Sequence, residues 1–112
     1  MESEGPHWQG VSVLLRCIIE GEGPEHWLWE ERILLIKAST EERARDAAEQ
    51  EARGSEHSFI NSEGAKVSWA FSEVLQVYKV ESENLESGVE VFSRFLRTEE
   101  IESMRKRFPE DF

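Results

Sequence analysis

Cysteine is almost missing from this chain: Cys17 is the single one among 112 residues. That excludes an internal disulfide framework, a CxxC redox pair and a zinc quartet of thiolates. Histidine is scarce and scattered. His7, His26 and His57 show neither HxH nor HxxxH spacing, whereas a zinc site needs three or four convergent ligands. Glycine-rich phosphate loops are missing too, because Gly21-Glu22-Gly23 lacks the third glycine and the following helix of a dinucleotide fingerprint. No metal and no cofactor are expected. No apolar run approaches the ~20 residues of a membrane helix. The opening MESEGPHW is acidic and carries no apolar stretch, unlike a secretory leader. The expected setting is cytoplasmic, with no membrane contact.

Positive charge is the other scarcity, with 13 Lys and Arg against 24 Asp and Glu and a net charge of −11. Such a field repels phosphate backbones and anionic headgroups, so neither nucleic acid nor a membrane surface is expected as a partner. It steers a basic protein toward the molecule instead. The acids are bunched: Glu20, Glu22, Glu25, Glu30 and Glu31 fall within 20–31, and Glu81, Glu83, Glu86 and Glu90 within 81–90, neither stretch holding a Lys or Arg. They read either as two grips for a basic surface or as solvated loops.

The remaining composition fits one folded domain. Hydrophobic residues at 38% and aromatics at 10% are globular values, and this length serves a single core. Residues 1–10, with Gly5, Pro6 and Gly10, read as a flexible arm; 11–108 read as one α+β domain. Val11, Val13, Leu15, Cys17 and Ile19 alternate along one face of a first strand, opposite Ser12, Leu14, Arg16, Ile18 and Glu20. Cys17 therefore reads as an inert core thiol. Gly21 to Pro24 is turn chemistry, and His26 to Ala38 closes a hairpin. Ser39-Thr40-Glu41-Glu42 is a capping box with Ser39 as the cap. The helix it opens, to about Arg53, carries the stripe Ala44, Ala47, Ala48 and Ala52. Small residues at that spacing let a helix lie close on a sheet.

Gly54 to Gly64 reads as a polar connection. Lys66 to Glu81 reads as a third strand with a bulge near Ser72-Glu73, because Val67, Trp69 and Phe71 keep one phase while Val74, Tyr78 and Val80 keep the other. Ser82 to Gly88 is an acidic turn and Val89 to Arg97 a fourth strand. A short helix starts at Thr98 and ends at Pro109, with its acids first and its bases last, as the helix dipole favours. The fold expected is ββαββα: a four-stranded antiparallel-rich sheet, the alanine-striped helix on one face, and a short C-terminal helix.

The second sheet face carries the candidate sites. Its expected members are Leu14, Ile18, Leu28, Leu34, Ile36, Phe92 and Leu96, interleaved with Arg16, Arg32, Arg94, Glu30 and Glu90. The run Ile33 to Ile36 is apolar on both faces, which calls for cover on both. The C-terminal helix with Ile101, Met104 and Phe108 supplies part of it, and a second copy the rest, giving a homodimer. Arg16, Arg32 and Arg94 could converge on an anion, or simply pair with Glu20, Glu30 and Glu90 across strands. Adjacent Glu30 and Glu31 point to opposite faces and cannot act on one substrate atom. Glu31, in phase with Trp27, Trp29 and Ile33, suits a structural salt bridge.

Trp29-Glu30-Glu31-Arg32-Ile33, Ile36-Lys37-Ala38 with Glu41-Glu42 and Ala44, Gly64 to Trp69, and Gly88 to Ser93 together resemble a family of small bacterial domains of unknown function. Its pattern is EERI-x-L-x-KA and then G-x-E-V-x-S, and the likeness spans roughly 11–97. The resemblance implies a bacterial domain without an assigned activity, and transfers no catalytic residue. From the residues themselves, the expected function is a non-catalytic acidic protein-binding module of immunity or antitoxin type. It would occlude a basic partner through Glu22, Glu25, Trp27, Trp29, Glu30 and Glu31. The alternative is an anion-binding or enzymatic homodimer with Arg16, Arg32 and Arg94 on the sheet face.

Overall fold

The computed structural model describes residues 5–107. A long strand β1 (His7–Ile19) turns into β2 (Leu28–Ala38), which leads to helix α1 (Glu41–Gly54). A short strand β3 (His57–Ile60) and a long β4 (Lys66–Lys79) come next, and α2 (Thr98–Arg107) ends the described chain. The sheet is antiparallel throughout, in the order β2-β1-β4-β3. The architecture is α+β in the order ββαββα.

β1 is a central strand, and alternation assigns its two faces. Val11, Val13 and Leu15 point to an inner face, where they form the core with Ala44, Ala48, Ala52 and Phe71; Leu34, Ile36, Trp69, Val74 and Val77 pack around them. The alanines bring α1 close enough for these side chains to be fully enclosed. Cutting Leu15 back to Ala there would cost about 2–5 kcal/mol. Gln9, also buried, donates from Nε2 to the carbonyls of Ala38 (3.1 Å) and Thr40 (3.3 Å), tying β1 to the start of α1.

Several boundaries differ from the sequence reading. β1 begins at His7, so residues 7–10 belong to the sheet rather than to an arm. The α1 cap is Thr40, whose Oγ1 accepts from Arg43 N at 3.1 Å, one residue later than Ser39. β3 lies inside the stretch read as a polar connection; all four of its residues are exposed, so no apolar alternation marks it. β4 slips register twice against β1, at Ser72 and again at Leu75. Each extra residue returns the next apolar side chain to the inner face, first Val74 and then Val77. The Phe71 amide beside the first slip donates to Glu56 Oε2 at 2.9 Å.

Residues 89–97 form no strand. β3 covers only Lys66–Trp69 of β4, and this segment joins neither the rest of that edge nor the free side of β2. It crosses the outer face of the sheet as an extended strap. Gly10 is where it comes closest: a Cβ there would sit 1.9 Å from the Val91 carbonyl oxygen. Pro109, expected to end α2, lies outside the described residues, as does Phe108.

Gly10→Ala should therefore lift the strap and lower stability by roughly 1–3 kcal/mol. Denaturation curves and limited proteolysis across 88–97 check this. Unchanged stability with a still-protected strap would mean that the close approach at Gly10 is not what seats it.

Candidate functional site: the outer face of the sheet

Register puts Gly10, Ser12, Leu14 and Arg16 of β1 on the outer face, beside Leu35, Ile33, Glu31 and Trp29 of β2. Tyr78, Gln76 and Glu73 of β4 complete it on the other side. The pairing Leu14↔Glu31 reverses the phase expected for β2: Glu30, Arg32, Leu34 and Ile36 lie on the α1 side instead. The expected arginine cluster is thereby divided. Arg32 pairs with Glu30 at 2.9 Å and donates to Ser55 Oγ at 3.0 Å, across the sheet from Arg16 and Arg94. Arg16 has its guanidinium over the Trp27 ring, 5.8 Å from the centroid. Its Nε and the Trp27 indole N–H are buried without an acceptor among the described residues.

Arg94 pins the strap to β2. Its Nη1 lies 2.7 Å from one Glu31 carboxylate oxygen and 2.8 Å from the other. Buried Ser12 donates to the same carboxylate at 2.6 Å. Glu31 is thus engaged by two donors and has a structural role, while Ser12 is enclosed and donates its proton to that carboxylate. Ser12 is fully buried, so this hydrogen-bonded pair meets no substrate from solvent.

At the other end of the strap the Tyr78 hydroxyl donates to Glu90, the Tyr78 and Phe92 rings meet at 6.2 Å, and Gln76 Nε2 donates to the Ser93 carbonyl at 3.3 Å. The hydrogen bond to Glu90, then burial and the charge of Glu90, raise the Tyr78 pKa above its ordinary value of 10.0, which holds it as a phenol. Burial likewise raises the Cys17 thiol. Among the described residues no three His, Cys, Asp or Glu gather where they could hold a metal.

Two grooves on the surface are open and mixed in polarity. One, of about 670 Å³, lies between Trp8, Lys37 and the acidic turn Glu81–Glu83; the other, of about 580 Å³, runs beside the strap from Gln76 to Glu100. Neither is the enclosed apolar pocket that a small-molecule site usually needs.

What the outer face does offer lies along β2. Trp29, Ile33 and Leu35 are exposed by 43%, 40% and 39%, on one face of an edge strand whose far side has no neighbour in the sheet, with the Glu31–Arg94 pair between Trp29 and Ile33. At the end of this stripe stands the β1–β2 turn, with Glu22 and Glu25 exposed. Of the residues expected to hold a partner, Glu22, Glu25 and Trp29 are therefore available. Trp27 is half-buried beneath Arg16, and Glu30 and Glu31 are taken by Arg32 and Arg94. The two acidic segments sit at opposite ends of β1, since Val67 pairs Ile19 whereas Lys79 pairs Gln9. They cannot close on one small patch.

A family model described as a domain of unknown function, DUF4288, matches residues 8–93. The chain belongs to the DUF4288 family. No curated protein and no solved structure matches it. The family match runs from Trp8 in β1 to Ser93, so it takes in the sheet, α1 and the strap as far as its contact with Gln76. Arg94 and α2 lie beyond it.

Sequence reasoning passed over Ser12, Tyr78 and Gly10. Only Gly10 carried a signal, because a glycine at a strand position often marks a close backbone approach.

Two predictions come from the strap contacts. Glu31→Ala leaves the enclosed Ser12 hydroxyl without its acceptor and should cost about 1–3 kcal/mol. Arg94→Ala breaks a half-exposed pair and should cost about 1 kcal/mol or less. Chemical denaturation ranks them, and the reverse order would show that Arg94 stabilises the fold through contacts other than that carboxylate. Tyr78 is the sole tyrosine, so absorbance near 295 nm titrates it alone. A raised folded pKa means that its contribution to strap docking is full below about 10 and lost as pH climbs through the folded value. The native midpoint should lie above the ordinary tyrosine value, and Glu90→Gln should lower it; a midpoint unmoved by Glu90→Gln would contradict the assigned partner.

Proposed function

We propose that this chain is a non-catalytic protein-binding module that takes a basic partner along the outer stripe of β2. The observation that carries this reading is the exposed line of Trp29, Ile33 and Leu35 on an edge strand, with exposed Glu22 and Glu25 at its end. Apolar side chains aligned on one face supply the area that a protein interface buries, and an exposed Trp is the residue type that most often anchors one. The net charge of −11 adds long-range attraction for a cationic surface. Groups able to do chemistry are committed elsewhere: Glu31 to Ser12 and Arg94, Tyr78 to Glu90, Cys17 to the interior.

The anion-binding alternative has less support. Arg32 faces α1, and the guanidinium groups of Arg32 and Arg94 each already hold a carboxylate.

The test is capture of partners by the immobilised full chain from host lysate, at low and high salt. A basic protein should be retained at low salt and released at high salt. Glu22→Lys with Glu25→Lys should slow its association by about tenfold or more, while Trp29→Ala should speed dissociation by a similar factor. Retention indifferent to all three substitutions would place any binding elsewhere on the molecule.

A further inference from the structure

The free side of β2 presents backbone as well as side chains. Two hydrogen bonds fix which way the peptide groups of β1 turn. Glu20 N donates to the Lys66 carbonyl at 2.9 Å and Val80 N to the Trp8 carbonyl at 3.0 Å. The even positions of β1 therefore direct their N–H and C=O groups at β4, and the odd positions direct theirs at β2. Register carries this across: Cys17 pairs Leu28, Val13 pairs Arg32 and Gln9 pairs Ile36. Even positions of β2 thus complete the ladder with β1. Trp29, Glu31, Ile33, Leu35 and Lys37 send their backbone groups the other way, where β2 has no neighbouring strand. Those groups have no partner among the described residues.

Sheets blunt their open edges with bulges, short strands or covering segments. The open part of β4 follows that rule. Register slips at Ser72 and Leu75 bend it, and the Glu56 carboxylate accepts from the Phe71 amide at 2.9 Å. β2 carries none of these devices. Its 11 residues hold one unbroken register against β1 and include neither Pro nor Gly. Lys37, the one cation on its outer face, has its ammonium 5.6 Å from the Trp8 ring centroid, drawn back from the edge toward β1.

We propose that β2 receives an added strand: an extended segment of the basic partner, paired with this edge and antiparallel to β2. This rests on the reading of β2 as a protein-binding surface and names the kind of segment it binds. Backbone pairing needs no continuous apolar face, so the Glu31–Arg94 pair between Trp29 and Ile33 does not interrupt it. Antiparallel is the sense of every other pairing in the sheet and the more stable one per residue. Charge and pattern then set the sequence class. Ile33 to Ile36 asks for β-branched or aromatic neighbours across the strands, and exposed Glu22 and Glu25, beyond Leu28, ask for cations. In the antiparallel sense the segment carries its apolar residues first and Lys or Arg after them. A second copy is the poorer occupant, because two chains of net charge −11 repel.

The probe is a synthetic peptide of about nine residues, matching Trp29 to Lys37, that alternates Val and Thr and closes on Lys-Lys-Arg. Its binding to the full chain is followed by residue-resolved amide hydrogen exchange. Exchange should slow at Trp29, Glu31, Ile33, Leu35 and Lys37 and stay unchanged at the even positions between them, which β1 already holds. N-methylating one set of alternate peptide residues should weaken binding at least tenfold, and methylating the other set should not. Placing the cations first should also weaken it. Ile33→Pro removes an outward N–H and no bond to β1, so the variant should keep its circular dichroism and lose the peptide. Slowing at both parities, indifference to N-methylation, no binding, or a dimer that excludes the peptide would each overturn strand addition. Equal binding with the cations first would overturn its antiparallel sense. A basic protein that Ile33→Pro still retains and Trp29→Ala releases would overturn the added strand while upholding the face, so the two readings fail separately.

Discussion

Everything in this fold is hung on β1, a strand enclosed on both sides. Every residue from Gln9 to Val13 is buried, which requires one cover for the odd positions and another for the even ones. The alanine stripe of α1 is the first cover. The strap is the second, and it is thin: a single extended segment, seated where Gly10 has no side chain and held by Tyr78–Glu90 at one end and Arg94–Glu31 at the other. Because a strap shields less than a helix or a second sheet, the even positions of β1 are protected while their neighbours on β2 are left open. The exposed line of Trp29, Ile33 and Leu35 is a consequence of that geometry.

The same constraint explains which parts of the structure could be read in the sequence. The first hairpin and α1 were legible because each has one apolar face with regular spacing: period two from Val11 to Ile19, helical spacing from Ala44 to Ala52. The phase break in β4 was also visible, as was the salt-bridged role of Glu31. Where both faces of a segment have the same character, the pattern goes silent. β3 is exposed on both sides, so nothing distinguishes His57–Ile60 from a loop. Ile33 to Ile36 is apolar on both sides, so the phase of β2 had to come from its pairing with β1, and that pairing divided the arginines. Val89 to Arg97 has strand-like composition, yet it lies over the outer face at Gly10 instead of along the edge that β4 leaves open beyond Trp69.

The charged residues divide along similar lines. Of the cross-strand pairs offered for the three arginines only Arg32–Glu30 forms, and on the α1 side; Arg94 finds Glu31 and Arg16 lies over Trp27, because register sets the partners. Exposed acid gathers where the chain turns, at Glu22 and Glu25, while the longest cationic run ends α2. Family membership reaches Ser93, so the sheet and the strap up to that residue belong to the DUF4288 plan, with Arg94 and α2 beyond it.

Amide hydrogen exchange on the full chain, free and with a captured basic protein bound, asks most directly whether the outer stripe of β2 is a docking surface. Amides at the outer edge of β2 should exchange more slowly in the complex. Exchange along β2 that is unchanged on binding would contradict it.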